Sequence, residues 1–139
     1  VANSNVITRI YQLLESGDTF SLLDLFHPEI TWNEAESNPY HSGNTWHGRD
    51  AVKRNLLSRI PEDWLEFGIH PSRFHLGEGV IIVEVRYKGT HRRTGRALDA
   101  QACHIWTTQD GKVTSFQQYT DTAKLRRAMG FDAEFIHQP

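Results

Sequence analysis

The chain has 139 residues, 38% of them hydrophobic and 11% aromatic, which fits one domain with a real core and excludes a disordered tail. Lys+Arg 15 against Asp+Glu 17 leaves a net charge of -2, without the basic excess of a dedicated nucleic-acid binder. A single cysteine, Cys103, excludes an internal disulfide, CxxC metal knuckles and two-cysteine redox chemistry.

No stretch approaches the ~18–20 apolar residues of a membrane span, and VANSNVITRI lacks the basic segment and apolar block of a secretion signal. The expectation is a soluble, cytoplasmic protein with no membrane partner. No repeat, linker or low-complexity tract divides the chain, so residues 1–139 are read as one domain.

Residues 5–16 place Val6, Ile10, Leu13 and Leu14 at helical spacing, with Ser4 or Asn5 as cap and Gly17 as stop. Residues 19–26 form a second helix, capped by Asp18 and ended by Pro28. Over 29–34 the period changes to two, so that Ile30, Trp32 and Glu34 share one face of a strand. The stretch 35–47 is a loop whose Tyr40 and Trp46 are too apolar to leave in water, and it is expected to fold back as a lid. Residues 48–59 are helical, with Pro61 as terminator. Four strands follow at 64–75, 79–88, 97–108 and 112–120; Pro71 makes the first bent, bulged or an edge. A helix at 121–129 ends at Gly130. Helices followed by a meander indicate α+β.

Asp110-Gly111 is a two-residue hairpin signal. With regular pairing from that turn, Trp106 faces Ser115, His104 faces Gln117, Ala102 faces Tyr119 and Ala100 faces Asp121, all on one sheet face. Asp99, Gln101, Cys103, Ile105, Phe116 and Gln118 take the other. A bulge exchanges the faces beyond it. The first face mixes Trp106 and Tyr119 with His104, Gln117 and Asp121, the composition of an apolar cavity with convergent polar groups, and Trp32 and Glu34 extend its wall.

The element order, the segments WNEAESNPY and GRDAV, and the run HIWTTQDGKVTSFQQYTDTAKL resemble the SnoaL-like, ketosteroid-isomerase-related branch of the nuclear-transport-factor-2-like superfamily over about residues 5–130. The resemblance implies a cone-shaped α+β barrel, a curved and mostly antiparallel sheet wrapped around N-terminal helices, with an interior pocket and a homodimer formed through the outer sheet face. It also implies that Asp121 corresponds to the acid/base carboxylate of the cyclases and His104 to the strand histidine. Fold alone does not fix function.

Each candidate has two readings. Asp121 is either an acid/base in the cavity or the N-cap of the last helix. His104 either moves or orients a proton or is a buried, satisfied histidine. Gln117 and Tyr119 either polarise a substrate oxygen or satisfy polar neighbours. Trp32, Tyr40, Trp46 and Trp106 wall the pocket, whereas Trp64 and Phe74 are ordinary core. Glu34 is a second acid or the ion-pair partner of an arginine. Lys88, His91, Arg92, Arg93 and Arg96 form a basic hairpin tip, read as solvated. Despite eight histidines, no metal-ligand spacing occurs and no metal is expected; His41 and His47 have no third ligand in the pattern. The leading expectation is a cofactor-free enzyme that isomerises, cyclises or dehydrates a small apolar carbonyl compound. The alternatives are an epoxide-hydrolase-like enzyme and a binding or dimerisation module without chemistry.

Overall fold

A computed structural model describes residues 4–41, 43 and 45–131. Residues 1–3 of the N-terminal segment, and 42 and 44 of the loop, lie outside them. The first helix, α1 (Ser4–Ser16), buries Ile7, Ile10, Tyr11 and Leu13. This stripe differs from the predicted one by admitting Ile7 and Tyr11 and by leaving Val6 and Leu14 only partly buried. Gly17 adopts φ +75 and closes the helix, as its freedom at positive φ allows. Asp18 then caps α2 (Thr19–Asp24) by accepting from the Ser21 amide. Strand β1 (Phe26–Asn33) follows, with Ile30 and Trp32 buried and in phase with Glu34 just beyond its end.

The loop after β1 returns through β2 (Trp46–His47), which pairs antiparallel with β1 by placing Trp46 against Trp32. The predicted helix at 48–59 is shorter and irregular. It comprises α3 (Arg49–Val52), a π-helical turn at Lys53–Leu57, and then a separate helix, α4 (Ile60–Asp63). Pro61 lies in the first turn of α4 rather than ending the preceding helix, a position where its missing N–H costs nothing.

The remaining strands are β3 (Trp64–Leu76), β4 (Val80–His91), β5 (Ala97–Gln109) and β6 (Lys112–Thr120), followed by α5 (Thr122–Met129). They form one six-stranded sheet in the order β2-β1-β6-β5-β4-β3. All pairings are antiparallel except β1 with β6. Pro71 fits both of its expected constraints: β3 is an edge strand, and its pairing with β4 shifts between Pro71 and Arg73. Alternate residues of β4 and β5 are buried, so the sheet has a core face and an outer face.

The hairpin turn has both central residues at positive φ, Asp110 at 52 and Gly111 at 78, which suits the strand twist. Regular pairing holds for Gln109 with Lys112 and Thr108 with Val113, and then slips by one, so that Thr107 faces Ser115 and His104 faces Gln118. The slip is driven by burial. It turns Phe116 into the core, where its ring centroid lies 4.0 Å from Trp32 and 4.6 Å from Trp106, and it leaves Tyr119, with its polar hydroxyl, 57% exposed. The face assignment beyond residue 114 is therefore the reverse of the unbulged expectation. Gln117 and Tyr119 lie outside, and Phe116 and Gln118 inside.

The basic hairpin tip is not simply solvated. Arg92 donates to the carbonyls of Pro61, Glu62 and Trp64 around the end of α4. Arg93 and Arg96 donate to the carbonyls of Met129 and Arg127, and Thr94 to that of Ala128, at the end of α5. These cations satisfy carbonyls that a helix C-terminus leaves without intrahelical partners. His91 is buried against Trp64.

Candidate active site

Between α1, α2, the 53–61 segment and the core face of the sheet lies a cavity of about 260 Å³. Leu13, Leu22, Leu56, Ile60, Phe67 and Leu125 give it an apolar lining. Glu15, Gly17, Pro61 and His70, all exposed, mark where it opens. Its polar groups are Glu34, Asn38, Tyr40, Tyr87, His104 and Gln118, with Trp32, Trp106 and Phe116 beside them. An apolar hollow with a few converging polar groups is the usual form of a small-molecule site.

Glu34 is fully enclosed. Trp32, two residues earlier on the same face, donates its indole N–H to Oε2 at 2.7 Å, and Asn38 donates to Oε1 at 3.3 Å. Both partners are neutral rather than the arginine that one reading supplied. Burial outweighs these two hydrogen bonds and pushes the Glu34 carboxyl up to about 7.

His104 lies on β5 with one ring nitrogen on each of two phenols, Nδ1 at 2.7 Å from the Tyr11 hydroxyl and Nε2 against the Tyr87 hydroxyl. Enclosure among the rings of Tyr11, Tyr87, Trp106 and Phe116 presses its pKa down to about 3, so the imidazole is neutral. Desolvation moves both phenols upward, so they keep their protons. Tyr11 also accepts from the Trp106 indole N–H at 2.9 Å. Tyr87 accepts from the Gln118 amide at 2.9 Å, and Gln118 Oε1 accepts from Asn38 at 2.8 Å. Hydrogen bonds thus run without a break from Trp106 through Tyr11, His104, Tyr87, Gln118 and Asn38 to Glu34 and Trp32.

Of the predicted site residues, Trp32, Glu34, Tyr40, His104 and Trp106 border the cavity. Tyr40 is pinned in place by donating to Asp63 at 2.7 Å and accepting from Trp64 at 3.1 Å. Trp46 does not border it; this residue is buried on β2 as the pairing partner of Trp32 rather than forming a lid. Gln117 and Tyr119 point to the outer face because of the slip in β6. Asp121 is also displaced from its expected alignment. Its carboxylate accepts from the Lys124 amide at 3.1 Å as the N-cap of α5, and it is not among the cavity-lining residues. Replacing Asp121 with Ala is expected to cost about 1 kcal/mol, the usual loss of a cap, in urea unfolding, and to leave turnover within about twofold of wild type. A turnover loss much larger than the loss of folded protein would instead place this carboxylate in the chemistry. Trp64 is core as expected, whereas Phe74 is 38% exposed, edge-on to Tyr11.

Four further polar residues, Tyr11, Asn38, Tyr87 and Gln118, belong to the site or its hydrogen-bonded chain and lie outside the predicted set. Tyr87 falls in the buried phase of β4 with Ile81, Val83 and Val85, so the alternation of VIIVEVRY already carried the signal. Tyr11 lies on the buried stripe of α1. Gln118 required the slip in β6, and Asn38 sits in a loop without periodicity.

A SnoaL-like domain model matches residues 7–116. Among solved structures, an NTF2-like protein from Burkholderia thailandensis is 28% identical, with 90% of this chain and 95% of that one covered and a TM-score of 0.84. TerC, co-crystallised with polyporic acid, is 24% identical over 92% of this chain and 98% of that one, with a TM-score of 0.82. IdmH, a putative polyketide cyclase from Streptomyces antibioticus, is 16% identical over 91% and 97%, with a TM-score of 0.77. The likeness to TerC and IdmH is one of fold alone. No curated protein matches the chain. With the family model running from α1 into β6, the chain belongs to the SnoaL-like domain family.

Proposed function

We propose that the protein is a cofactor-independent acid/base enzyme that isomerises, cyclises or dehydrates a small apolar carbonyl compound, with Glu34 as the proton carrier. The observation that carries this reading is the Glu34 carboxyl, buried in an apolar cavity, fixed by two neutral donors and pushed up to about 7. A base is most effective when its pKa lies near the working pH, and a carboxylate without a counter-ion in a dry site is a stronger base than one in water. In the reaction, the Glu34 carboxylate takes a proton from the carbon next to the carbonyl. The C–H bond electrons form the enolate double bond, and negative charge moves to the oxygen. The protonated Glu34 then returns its proton to carbon; or the carbanion attacks a second carbonyl carbon, whose π electrons move to its oxygen and take the Glu34 proton; or it expels a group from the neighbouring carbon, which leaves with its bonding electrons and takes that proton. His104 is held neutral by its surroundings, which suits a fixed hydrogen-bonding role better than a proton-carrying one. The polyporic acid co-crystallised with TerC and the description of IdmH as a putative polyketide cyclase support a small-molecule substrate.

The reading is tested by incubating the protein in heavy water with small cyclic ketones such as 1-tetralone and following loss of the proton next to the carbonyl by NMR. Exchange is expected to exceed that in buffer and in a mock preparation, and to fall as the pH drops below about 7. Exchange no faster than in buffer across mono-, bi- and tricyclic ketones would overturn the reading.

A further inference from the structure

Groups that can only donate fix the orientations of Gln118 and Asn38 and make Tyr11 an acceptor. The Ala35 backbone N–H meets Gln118 Oε1 at 3.1 Å, so the amide nitrogen of Gln118 must face Tyr87. The Tyr40 backbone N–H meets Asn38 Oδ1 at 2.9 Å, which likewise turns the Asn38 nitrogen toward Gln118 and Glu34. The Trp106 indole meets Tyr11. Tyr11 and Tyr87 therefore each accept one hydrogen bond from outside the Tyr11–His104–Tyr87 group.

Inside that group the count of protons does not match the count of contacts. Two phenolic O–H groups and the single N–H of a neutral imidazole supply three protons, but only two contacts join the three rings. One hydroxyl proton is left over in either tautomer. With the imidazole proton on Nδ1, the surplus belongs to Tyr11. With it on Nε2, Tyr11 donates to Nδ1, Nε2 donates to Tyr87, and the surplus belongs to Tyr87. Of the two phenols, Tyr87 is the one that lines the cavity. In the second tautomer both lone pairs of its oxygen are taken, by Gln118 and His104, and its proton is free to point at a guest.

We infer that Tyr87 is the oxygen-holding residue of the cavity, donating the proton left over in the Tyr11–His104–Tyr87 group to a carbonyl or enolate oxygen, so that the site takes a hydrogen-bond acceptor at this point. This rests on the acid/base reading for its purpose, since an enolate formed at Glu34 needs its oxygen stabilised, but not for its test. Two hydrogen bonds received by Tyr87 polarise its O–H, and the enclosed setting strengthens a donor aimed at developing negative charge.

The test uses binding alone, in the wild type and in Glu34→Gln, so that it stands or falls apart from turnover. Affinities for 1-tetralone and for its alkene isostere, 1-methylenetetralin, are measured by quenching of tryptophan fluorescence. Wild type is expected to prefer the ketone by about tenfold, the worth of one hydrogen bond. Tyr87→Phe should remove the preference and Tyr11→Phe should keep it. In the ketone complex, ¹⁵N NMR of the wild type should place the His104 proton on Nε2. A ketone that fails to bind the wild type, a preference that survives Tyr87→Phe, or a proton on Nδ1 would each overturn the inference. The wild-type comparison and the NMR measurement decide it even if Tyr87→Phe does not fold. Loss of exchange in Glu34→Gln with no ketone preference would retain the base and reject Tyr87; the opposite pair of results would do the reverse.

Discussion

Replacing Glu34 with Gln is expected to lower ketone-proton exchange, and turnover of the true substrate, by about a thousandfold, the middle of the range for a general base. Affinity for 1-tetralone should change by less than about threefold. Gln has nearly the shape of Glu and keeps one oxygen for the Trp32 indole, so the pocket stays closed and aromatic. It cannot take a proton from carbon. In the wild type, only the ionised carboxylate is a base, so the rate should rise with pH and level off above about 7, where burial has moved the Glu34 carboxyl. The residual rate of the variant should show no such limb. A variant retaining more than a tenth of wild-type exchange would remove Glu34 from the chemistry. An affinity lost together with the rate would mean that the carboxylate holds the ligand instead of transferring a proton.

The fold could be read from the sequence because its signals are local. The DG turn, the period-two burial of β4 and β5, and Pro71 at an edge each act within a few residues. The candidate site was half legible for the same reason. Trp32 and Glu34 share a strand face by parity, and His104 and Trp106 share another, with no bulge between the members of either pair. What failed depended on contacts between distant segments. The one-residue slip of β6 packs Phe116 against Trp32 on β1 and Trp106 on β5. That slip exchanged Gln117 and Tyr119 for Phe116 and Gln118 at the cavity wall. Asp121 followed the start of α5 rather than the strand, because an aspartate before a helix has free amides to accept from. Tyr87 and Tyr11 carry no such local signal of a role in the site, because a tyrosine in an apolar stripe counts as core until the partner of its hydroxyl is known. Here that partner is the two-sided imidazole of His104.

The same buried pair sets the pH dependence of stability, and Glu34→Gln should make wild-type and variant stability curves cross. Folded Glu34 holds its proton up to about pH 7, whereas the unfolded chain releases it near 4.5. Between these values the folded state binds more protons, so this group costs stability as pH rises, about 3 kcal/mol in full. His104 acts in the opposite sense. It titrates near 6.5 in the unfolded chain and only at about 3 when folded, so its contribution is complete above about 6.5 and is lost as pH falls toward 3. In the wild type these two slopes offset each other from about pH 6.5 to 4.5, so Glu34 and His104 together add little net slope there. Gln at position 34 removes one slope. Relief of the buried charge, less about 1 kcal/mol for the Asn38 hydrogen bond, lost because the new amide nitrogen faces a donor, should leave the variant about 2 kcal/mol more stable at pH 8. It should then lose up to about 1.4 kcal/mol per pH unit below about 6.5, the slope of a single unopposed proton. The curves should cross at about pH 5.2 in urea unfolding followed by tryptophan fluorescence. Asp18 and Asp99, whose carboxyls are lowered by the Ser21 amide and by Arg86, are the same in both proteins and cancel in the difference. Parallel curves between pH 8 and 4 would show that Glu34 does not carry a proton into the neutral range inside the folded cavity, and the acid/base reading would lose its base.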